Sequence, residues 1–177
     1  MVVPCSERSP LRSNEVSSFA SFFRGRFGRT AVLLVAMGAS RADADDCVQE
    51  AMILAWKRWD TIRDPATWVN TVAVRRYWRL ARRRQQEVSL DETVPEPADA
   101  DLGIFTDEQQ QVLRLLRQLP AQQRNVAALF YDGTATEEIA ELVGVSPATV
   151  RSHLRHARAT LRGLLESKRV LRLIGIM

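Results

Sequence analysis

Two arginine-rich segments contain the residue types that bind nucleic acid. The first, WVNTVAVRRYWRLARRR from Trp68 to Arg84, interleaves six arginines with Tyr77 and Trp78. Guanidinium groups hold phosphates, and aromatic rings offer stacking surfaces for unpaired bases. The alternative is that Trp68, Val72, Leu80 and one central ring are core residues, as large rings at helical spacing usually are. We expect Trp68 to lie in the core and leave Trp78 open.

The second segment, GTATEEIAELVGVSPATVRSHLRHARATL from Gly133 onward, has the pattern of a helix-turn-helix. Thr134 and Glu137 form a capping box that opens a helix through Leu142. Gly144 supplies a left-handed turn residue, and the pair Ser146-Pro147 gives an N-cap followed by proline at the first helical position. A second helix is therefore predicted to begin at Pro147.

The two faces of that second helix differ in character. One face is apolar and should pack on Ile139, Ala140, Val126 and Leu129; it contains Val150, Leu154, Ala157 and Leu161. The other offers hydrogen-bond donors and cations for base edges and phosphates: Thr149, Arg151, Ser152, Arg155, His156, Arg158 and Arg162. Basic residues late in a helix also suit its dipole and can simply be solvated. His153 and His156 could ligate a metal, but the surrounding arginines favour phosphate contact.

A third segment, DADDCVQEAMILAWKRW from Asp43 to Trp59, predicts an amphipathic helix. Its core positions are Ala44, Val48, Ala51, Ala55 and Trp59. Asp46, Gln49 and Glu50 share another face, with Ile53 beside them. A mixed acidic and apolar patch suits docking on a basic helical partner, while an acidic first turn alone merely complements the helix dipole. The residues leave both interpretations open.

The residue inventory does not favour an enzyme. It contains no Ser-His-Asp set, no metal cluster, no paired carboxylates in a plausible cleft and no glycine-rich phosphate loop. The two cysteines, Cys5 and Cys47, cannot build a disulfide framework or a zinc cluster. We predict no catalytic residue, no cofactor and no metal ion.

The helices that position these residues are predicted over nearly the whole chain. An apolar fraction of 46% in 177 residues is enough for buried cores, and the net charge of +4 is compatible with nucleic-acid binding without requiring it. The apolar run Ala31–Met37 is too short to span a bilayer, and the charged leader has no apolar stretch. We predict a cytoplasmic protein without signal peptide or membrane insertion.

Helical spacing recurs from Val16 to Arg84 and from Thr106 to Leu165, which predicts an all-α fold of two small helical domains, the second a helix-turn-helix. A flexible acidic linker should join them, since residues 87–107 contain two prolines and seven acidic residues, among them Asp91, Glu92, Glu96, Asp99 and Asp101. The predicted segments are a disordered leader at 1–14, a first domain at 15–86, the linker at 87–107, a second domain at 108–167 and a C-terminal tail at 168–177.

The order of these motifs resembles the extracytoplasmic-function (ECF) sigma factors of the sigma-70 family. The resemblance rests on the Asp-x-x-Gln-Glu helix, the arginine helix from Trp68, the acidic linker, LRQLPAQQRNVAALFYDG and the helix-turn-helix, over about residues 19–166. It implies that the first domain is sigma region 2 and the second is sigma region 4. It also implies a non-enzymatic protein that joins RNA polymerase core to promoter DNA.

The resemblance implies two polymerase contacts. The core-docking helix would contact the clamp helices of the largest polymerase subunit through Asp46, Gln49, Glu50, Ile53 and Trp56. Region 4 would contact the flap of the second largest subunit. An anti-sigma protein is a further partner that the exposed helical faces allow without demonstrating.

The resemblance also implies two readers of promoter DNA. Region 2 would melt and read the minus-ten element through the Thr61–Ala66 loop and the helix from Trp68, with cations at Arg63, Arg75, Arg76, Arg79, Arg82 and Arg83. Region 4 would read the duplex minus-thirty-five element through Thr149, Arg151, Ser152, Arg155, His156 and Arg158. Many family members have asparagine where this chain has Arg75, so the base preference at minus-ten is open.

Two other classes of function remain alternatives at this point. A helix-turn-helix transcription regulator would bind a palindromic operator tightly without polymerase. A pure protein adaptor would leave the arginine cluster at 75–84 without a purpose. The promoter sequence, the inducing signal and the role of the apolar C-terminal tail do not follow from the residues.

Overall fold

The computed structural model describes residues 13–88 and 106–173, with side chains described for 16–86 and 106–166. These ranges contain seven α-helices and no β-strand, which confirms the predicted all-α fold. The first module comprises α1 (Ser13–Met37), α2 (Arg41–Lys57) and α3 (Pro65–Val88). The second module comprises α4 (Asp107–Arg117), α5 (Ala121–Tyr131), α6 (Thr136–Val143) and α7 (Pro147–Leu173).

The helices of the first module begin at side chains that cap them. The Ser40 hydroxyl accepts a hydrogen bond from the Asp43 N–H at 3.1 Å, which opens α2. Asp64 Oδ1 accepts from the N–H groups of Ala66 and Thr67 at 3.0 and 3.2 Å, with Pro65 as the first residue of α3. The predicted Thr61–Ala66 loop therefore ends at Asp64.

The core of the first module lies between α2 and its two neighbours, α1 and α3. The four predicted core positions within α2 are fully buried: Ala44, Val48, Ala51 and Ala55. Three of these are alanines, whose small side chains let neighbouring helices approach closely. Leu34, Val69 and Val74 complete this core from α1 and α3.

The second module folds around α5, which packs against both α6 and α7. Val126 and Leu129 from α5 are fully buried, as are Ile139 and Val150. Leu154 and Ala157 are also buried, and Leu161 is half-buried against the same cluster. The predicted apolar face of the last helix is therefore confirmed.

The helices α5 and α6 end in the same glycine-closed turn. After α6, Gly144 adopts a left-handed φ of 75°, and the Val145 N–H bonds to the Ala140 carbonyl at 3.0 Å. After α5, Gly133 has φ 101°, and the Thr134 N–H bonds to the Leu129 carbonyl at 3.1 Å. The sharp turn predicted at Gly144 is confirmed.

The predicted capping box of Thr134 and Glu137 is wrong by one residue. Helix α6 begins at Thr136, and the Glu138 carboxylate accepts from the Ala135 N–H at 3.1 Å. Thr134 is buried and its backbone N–H bonds to the Leu129 carbonyl, so the Glu137 carboxylate cannot accept from it as a capping box requires. The first helix of the pair consequently starts two residues after Thr134.

The modules also contact each other, because α1 packs against α4 and α5 as well as against α2 and α3. Most of the predicted leader, linker and tail lies outside the described residues. Helix enters each of these segments: α1 begins at Ser13, α3 continues to Val88 and α7 continues to Leu173. Within the two described ranges, every helix falls short of the length or apolar character needed to cross a bilayer.

Candidate nucleic-acid interface

Helix α7 is aimed by the turn that precedes it. The Ser146 hydroxyl accepts from the Thr149 N–H at 3.1 Å, and α7 begins at Pro147, so both features predicted for this junction are confirmed. The buried face of α7 anchors it on α5 and α6. The opposite face therefore points away from the second module.

The structure leaves most of the predicted polar residues of α7 accessible. Arg151, Arg155 and His156 are exposed on one side of the helix, and Ser152 is half-buried beside them. Thr149 is half-buried, and its hydroxyl lies 2.9 Å from the Ser146 hydroxyl. Accessible guanidinium groups near the start of such a helix can reach base edges, while a hydroxyl engaged in the cap is less available.

Arg158 has a partner within the second module. Its side chain is exposed, yet the guanidinium carbon lies 5.2 Å from the centroid of the Phe130 ring. A cation at this distance is attracted by the electrons of the ring face. Arg158 can therefore contact a phosphate only by leaving the ring or by reaching past it.

Helix α3 and the loop before it present the predicted cations of the first module. Five of the six predicted residues are exposed: Arg63, Arg75, Arg79, Arg82 and Arg83. The sixth, Arg76, is half-buried and forms an ion pair with Glu50 of α2. A cleft between α2 and α3 collects these opposite charges, with Asp46 and Glu50 on one wall and Arg76, Arg79 and Arg83 on the other.

The aromatic residues of α3 are not free stacking platforms. Trp68, Tyr77 and Trp78 are all partly buried against the hydrophobic core, as expected for Trp68. Burial raises the pKa of the Tyr77 hydroxyl above its usual value of 10.0, and the Arg124 charge opposes this only in part. The core position therefore applies to both central rings, including Trp78.

The acidic face of α2 is accessible and adjoins an apolar groove. Asp46 and Gln49 are exposed, and Ile53 keeps 47% of its surface accessible, while Glu50 and Trp56 are half-buried. The groove runs between α1 and α2 and is lined by Val16, Phe19, Phe23, Phe27, Gln49, Met52, Ile53 and Trp56. Phe19 packs on Trp56 and Trp59 with ring centroids 4.8 and 5.1 Å away.

The contribution of α1 to this groove was not predicted from the sequence. The run FASFFRGRF at 19–27 contained the signal, since its phenylalanines recur at helical spacing. Only the packing against α2 shows that these rings extend the surface of Ile53 and Trp56.

Asp43 lies in the first turn of α2 and is not part of the accessible face of that helix. It is buried, and Arg84 donates to its two carboxylate oxygens at 2.5 and 2.7 Å. Burial acts to raise the pKa of Asp43, but the hydrogen bonds from Arg84 and Ser40 outweigh it, so the pKa lies below the usual 3.8. Arg84 therefore ties the end of α3 to the start of α2.

Replacing Asp43 with asparagine should lower the free energy of unfolding at neutral pH, and this loss should become smaller in acid. A carboxyl whose pKa is lowered on folding stabilises the protein above its unfolded pKa of about 3.9, and this contribution is lost as the pH falls through that range. We expect the variant to be about 1–2 kcal/mol less stable at pH 7, with the difference shrinking towards pH 3. Urea unfolding between pH 7 and 3 measures this, with exposed Asp46→Asn as control. A pH-independent difference would contradict it.

A buried polar cluster also escaped prediction from the sequence. Arg26 of α1 and Asn70 of α3 both bond to the Asp132 carboxylate at the end of α5, with the Asn70 contact at 2.5 Å. These residues lie 106 and 62 positions from Asp132 in the chain. The cluster joins the first module to the second.

Both modules match families of known proteins. Residues 31–87 match the family Sigma-70 region 2, and residues 109–161 match the family Sigma-70, region 4. The chain is similar to the ECF RNA polymerase sigma factor SigL of Mycobacterium tuberculosis, with 30% identity over 173 residues that cover 90% of this chain and 98% of SigL.

Two other relatives are similar over shorter stretches. The RNA polymerase sigma-E factor of Streptomyces avermitilis is 31% identical over 139 residues, covering 71% of this chain and 73% of the relative. The probable RNA polymerase sigma factor RfaY of Xanthomonas campestris is 29% identical over 149 residues, or 76% of this chain. The match spans only 37% of the length of RfaY.

Two solved structures share the fold. The sigma factor RpoE of Bartonella quintana, solved in complex with the anti-sigma factor NepR, superposes with a TM-score of 0.64 at 21% identity, covering 85% of this chain and 98% of that chain. CnrH, solved in complex with the cytosolic domain of CnrY, gives a TM-score of 0.57 at 23% identity, covering 86% and 90%.

The fold and its outward-facing basic helices define a two-module helical protein with a helix-turn-helix. The matches to both sigma regions, in the same order and over nearly the full length of SigL, identify its family. The chain belongs to the extracytoplasmic-function sigma factors, which bind RNA polymerase core and promoter DNA.

Proposed function

We propose that the chain directs promoter-specific transcription initiation by docking on RNA polymerase core through α2 while α3 and α7 read two separate promoter elements. The observation that carries this proposal is the first module, where an acidic and apolar surface on α2 lies beside a cationic surface on α3. One surface suits a protein partner and the other suits DNA. A protein that joined only to DNA would have no use for the first.

The core-docking surface comprises Asp46, Gln49, Glu50, Ile53 and Trp56. Its exposed carboxylate and amide groups can pair with a basic helical partner, and the neighbouring groove offers apolar area to bury. Clamp helices of the largest polymerase subunit are the partner we assign to it. The flap of the second largest subunit is assigned to the second module.

The minus-ten reader comprises the Arg63 loop and the arginines of α3. Exposed guanidinium groups at Arg75, Arg79, Arg82 and Arg83 can track the phosphates of a single strand. Since Trp68, Tyr77 and Trp78 are held against the core, the cations supply most of the affinity. Arg76 joins them once its pairing with Glu50 is exchanged for a phosphate.

The minus-thirty-five reader is the exposed start of α7. We assign base contacts in the major groove to Arg151 and Arg155, with Thr149, Ser152, His156 and Arg158 at neighbouring base or phosphate positions. This assignment follows from the exposed face of a helix that the preceding turn aims away from the module.

The distance between the promoter elements requires the two modules to separate. Elements centred at minus-thirty-five and minus-ten are about 25 base pairs apart, or about 85 Å at 3.4 Å per base pair. A compact chain of 177 residues is about 40 Å across. We assign residues 15–86 to region 2, 108–167 to region 4 and 87–107 to the linker that permits this separation.

In this proposal the chain contributes only the recognition of RNA polymerase core and of promoter DNA. The polymerase performs nucleotide transfer, so the chain itself is not an enzyme and needs no cofactor. It acts in the cytoplasm, where polymerase and promoter are found. An anti-sigma protein is a further expected partner, because the similar RpoE was solved with one.

The test is run-off transcription with purified core polymerase, combined with a core pull-down. Asp46→Arg/Gln49→Arg reverses the docking surface at two exposed residues and leaves the Glu50–Arg76 pair intact. Like charges facing each other cost several kcal/mol, so core binding and transcription should both fall by about 100-fold or more.

The matched control is Gln122→Arg/Glu141→Arg, which changes the charge by the same amount at two exposed positions of the second module. It leaves the core-docking surface of α2 unchanged, so core binding should fall far less than in the Asp46→Arg/Gln49→Arg variant. Wild-type protein that binds no core polymerase but binds a duplex operator tightly would instead establish the helix-turn-helix regulator acting alone.

A further inference from the structure

The buried cluster between the modules has the geometry of an anion site. Arg26 and Asn70 of the first module donate to the same carboxylate oxygen of Asp132, the Asn70 contact measuring 2.5 Å. The Thr30 hydroxyl donates to Asn70 Oδ1 at 2.9 Å, which turns the amide NH₂ towards Asp132. One module thus supplies every donor, and the other supplies only the negative charge.

These donors are buried where the two modules meet. Arg26 is 9% exposed, Asn70 is 3% exposed and Thr30 is fully buried. A buried cation without an anion is strongly unfavourable, so an anion is required at this position. Within the first module, the Thr30 hydroxyl of α1 orients the Asn70 amide of α3.

The carboxylate of Asp132 does not use all of the donors. Arg26 Nε is buried and has no acceptor among the described residues. A phosphodiester offers more acceptor oxygens than one carboxylate oxygen provides, and guanidinium groups bind phosphates through two N–H groups at once. A phosphodiester that presents two oxygens to Arg26 would therefore use the donor that Asp132 leaves without an acceptor.

The cluster lies near the loop before α3, to which the minus-ten reader is also assigned. Asn70 is in the second turn of α3, near that loop and on the opposite face of the helix from the exposed arginines. Arg26 is close enough to the loop before α3 to affect Asp64, whose pKa is lowered first by its hydrogen bonds to Thr67 and Ala66 and additionally by the Arg26 charge. A strand bound along this loop would bring a phosphate to the cluster once the second module has moved away.

We propose that Arg26 and Asn70 form a phosphate seat for the single-stranded minus-ten DNA, and that Asp132 of the second module occupies this seat in the free chain as a substitute for the phosphate. This inference rests on the proposed function and adds to it a phosphate-binding site and a way in which the second module controls access to that site. Phosphate and carboxylate exclude each other, so the strand binds only after the second module has moved away.

The remaining contacts between the modules are compatible with such an exchange. An open cavity of about 360 Å³ remains where α1 faces α4 and α5, with Val32, Leu33 and Leu116 among its lining residues. Arg124 Nε, on α5, is likewise buried without an acceptor among the described residues. An unfilled cavity and an unpaired donor make this contact less stable than a fully packed one would be.

The test measures binding of the full chain, without polymerase, to a fluorescent single-stranded oligonucleotide that contains the non-template minus-ten strand. Asp132→Asn removes the competing charge and should raise the affinity by about tenfold or more, the value of one charge-assisted hydrogen bond. Glu141→Gln, which removes one exposed negative charge from the same module, should leave the affinity unchanged.

A second variant tests whether the gain in affinity comes from the phosphate seat or only from opening of the modules. In Asp132→Asn/Arg26→Gln the gain should vanish, because the phosphate then finds no cation. Asp132→Asn/Arg26→Lys keeps the positive charge but lacks the planar guanidinium group, so it should retain part of the gain in affinity. If circular dichroism shows that the Arg26→Gln double variant has lost helix, the Arg26→Lys double variant is used in its place.

The proposal is overturned if Asp132→Asn binds no more tightly than Glu141→Gln, or if the double variant keeps the whole gain. If the wild-type holoenzyme from the same preparations still makes promoter-specific transcripts, only the phosphate seat is disproved and the sigma function is retained. A wild-type holoenzyme that yields no promoter-specific transcript would overturn the sigma function and the seat together.

Discussion

Replacing Arg151 or Arg155 with alanine should reduce use of the minus-thirty-five element by about 1–3 kcal/mol at the base that each contacts, which corresponds to about 5- to 150-fold. Both side chains are exposed near the start of α7, where the preceding turn aims them outward. Selection by the holoenzyme from promoters randomised at minus-thirty-five measures the effect. The preference should relax at one position for each variant.

The control for this prediction is Arg162→Ala, farther along the same helix and also exposed. A phosphate contact there would weaken all sequences equally and lower the salt dependence by about one ion. Unchanged base preference in both the Arg151 and Arg155 variants would rule out their assignment as base readers.

Replacing Leu129 with alanine should destabilise the second module by about 2–5 kcal/mol, because it leaves a cavity where α5 meets α6 and α7. Leu129 is 0% exposed, whereas Leu165 on α7 is 49% exposed and provides the same substitution at the surface. Leu165→Ala should change the stability by about 0.5 kcal/mol or less. Urea unfolding followed by far-ultraviolet circular dichroism compares the two.

A Leu129→Ala variant no less stable than Leu165→Ala would mean that α5 is not the centre of the second module. The expected loss is a large share of the stability of a small domain, which is about 5–15 kcal/mol in total. Minus-thirty-five recognition should therefore weaken in this variant on warming, even though Leu129 touches no DNA.

The helix-turn-helix could be predicted from sequence because its signals are local. Gly144 at the turn and Ser146-Pro147 at the next helix start act on their own backbone neighbours. The predicted core face of α7 followed from helical periodicity alone. Each of these features needs information from only a few adjacent residues.

The start of α6 shows where local signals conflict. Thr134 with Glu137 and Ala135 with Glu138 both have the three-residue spacing of a capping box. The hydroxyl favoured Thr134, but the closing turn of α5 had already engaged its backbone N–H. Two helix ends separated by so few residues compete for the same groups, and sequence pattern does not show which one prevails.

Contacts between distant residues lay beyond prediction from the sequence. The arginines of α3 look alike in the sequence, yet Arg76 pairs with Glu50 and Arg84 with Asp43, while Arg75 remains exposed. Which arginine faces α2 depends on the rotation of α3 in the packed module. The Asp132 cluster depends in the same way on how the two modules meet.

The aromatic cluster of Phe19, Trp56 and Trp59 has a consequence for optical spectroscopy. All four tryptophans of the chain lie between residues 56 and 78, so the first module contains every indole and the second contains none. Intrinsic emission therefore reports the first module alone, while ellipticity at 222 nm reports the helices of both. Overlaying the two melting curves would reveal, without any label, which half of the protein unfolds first.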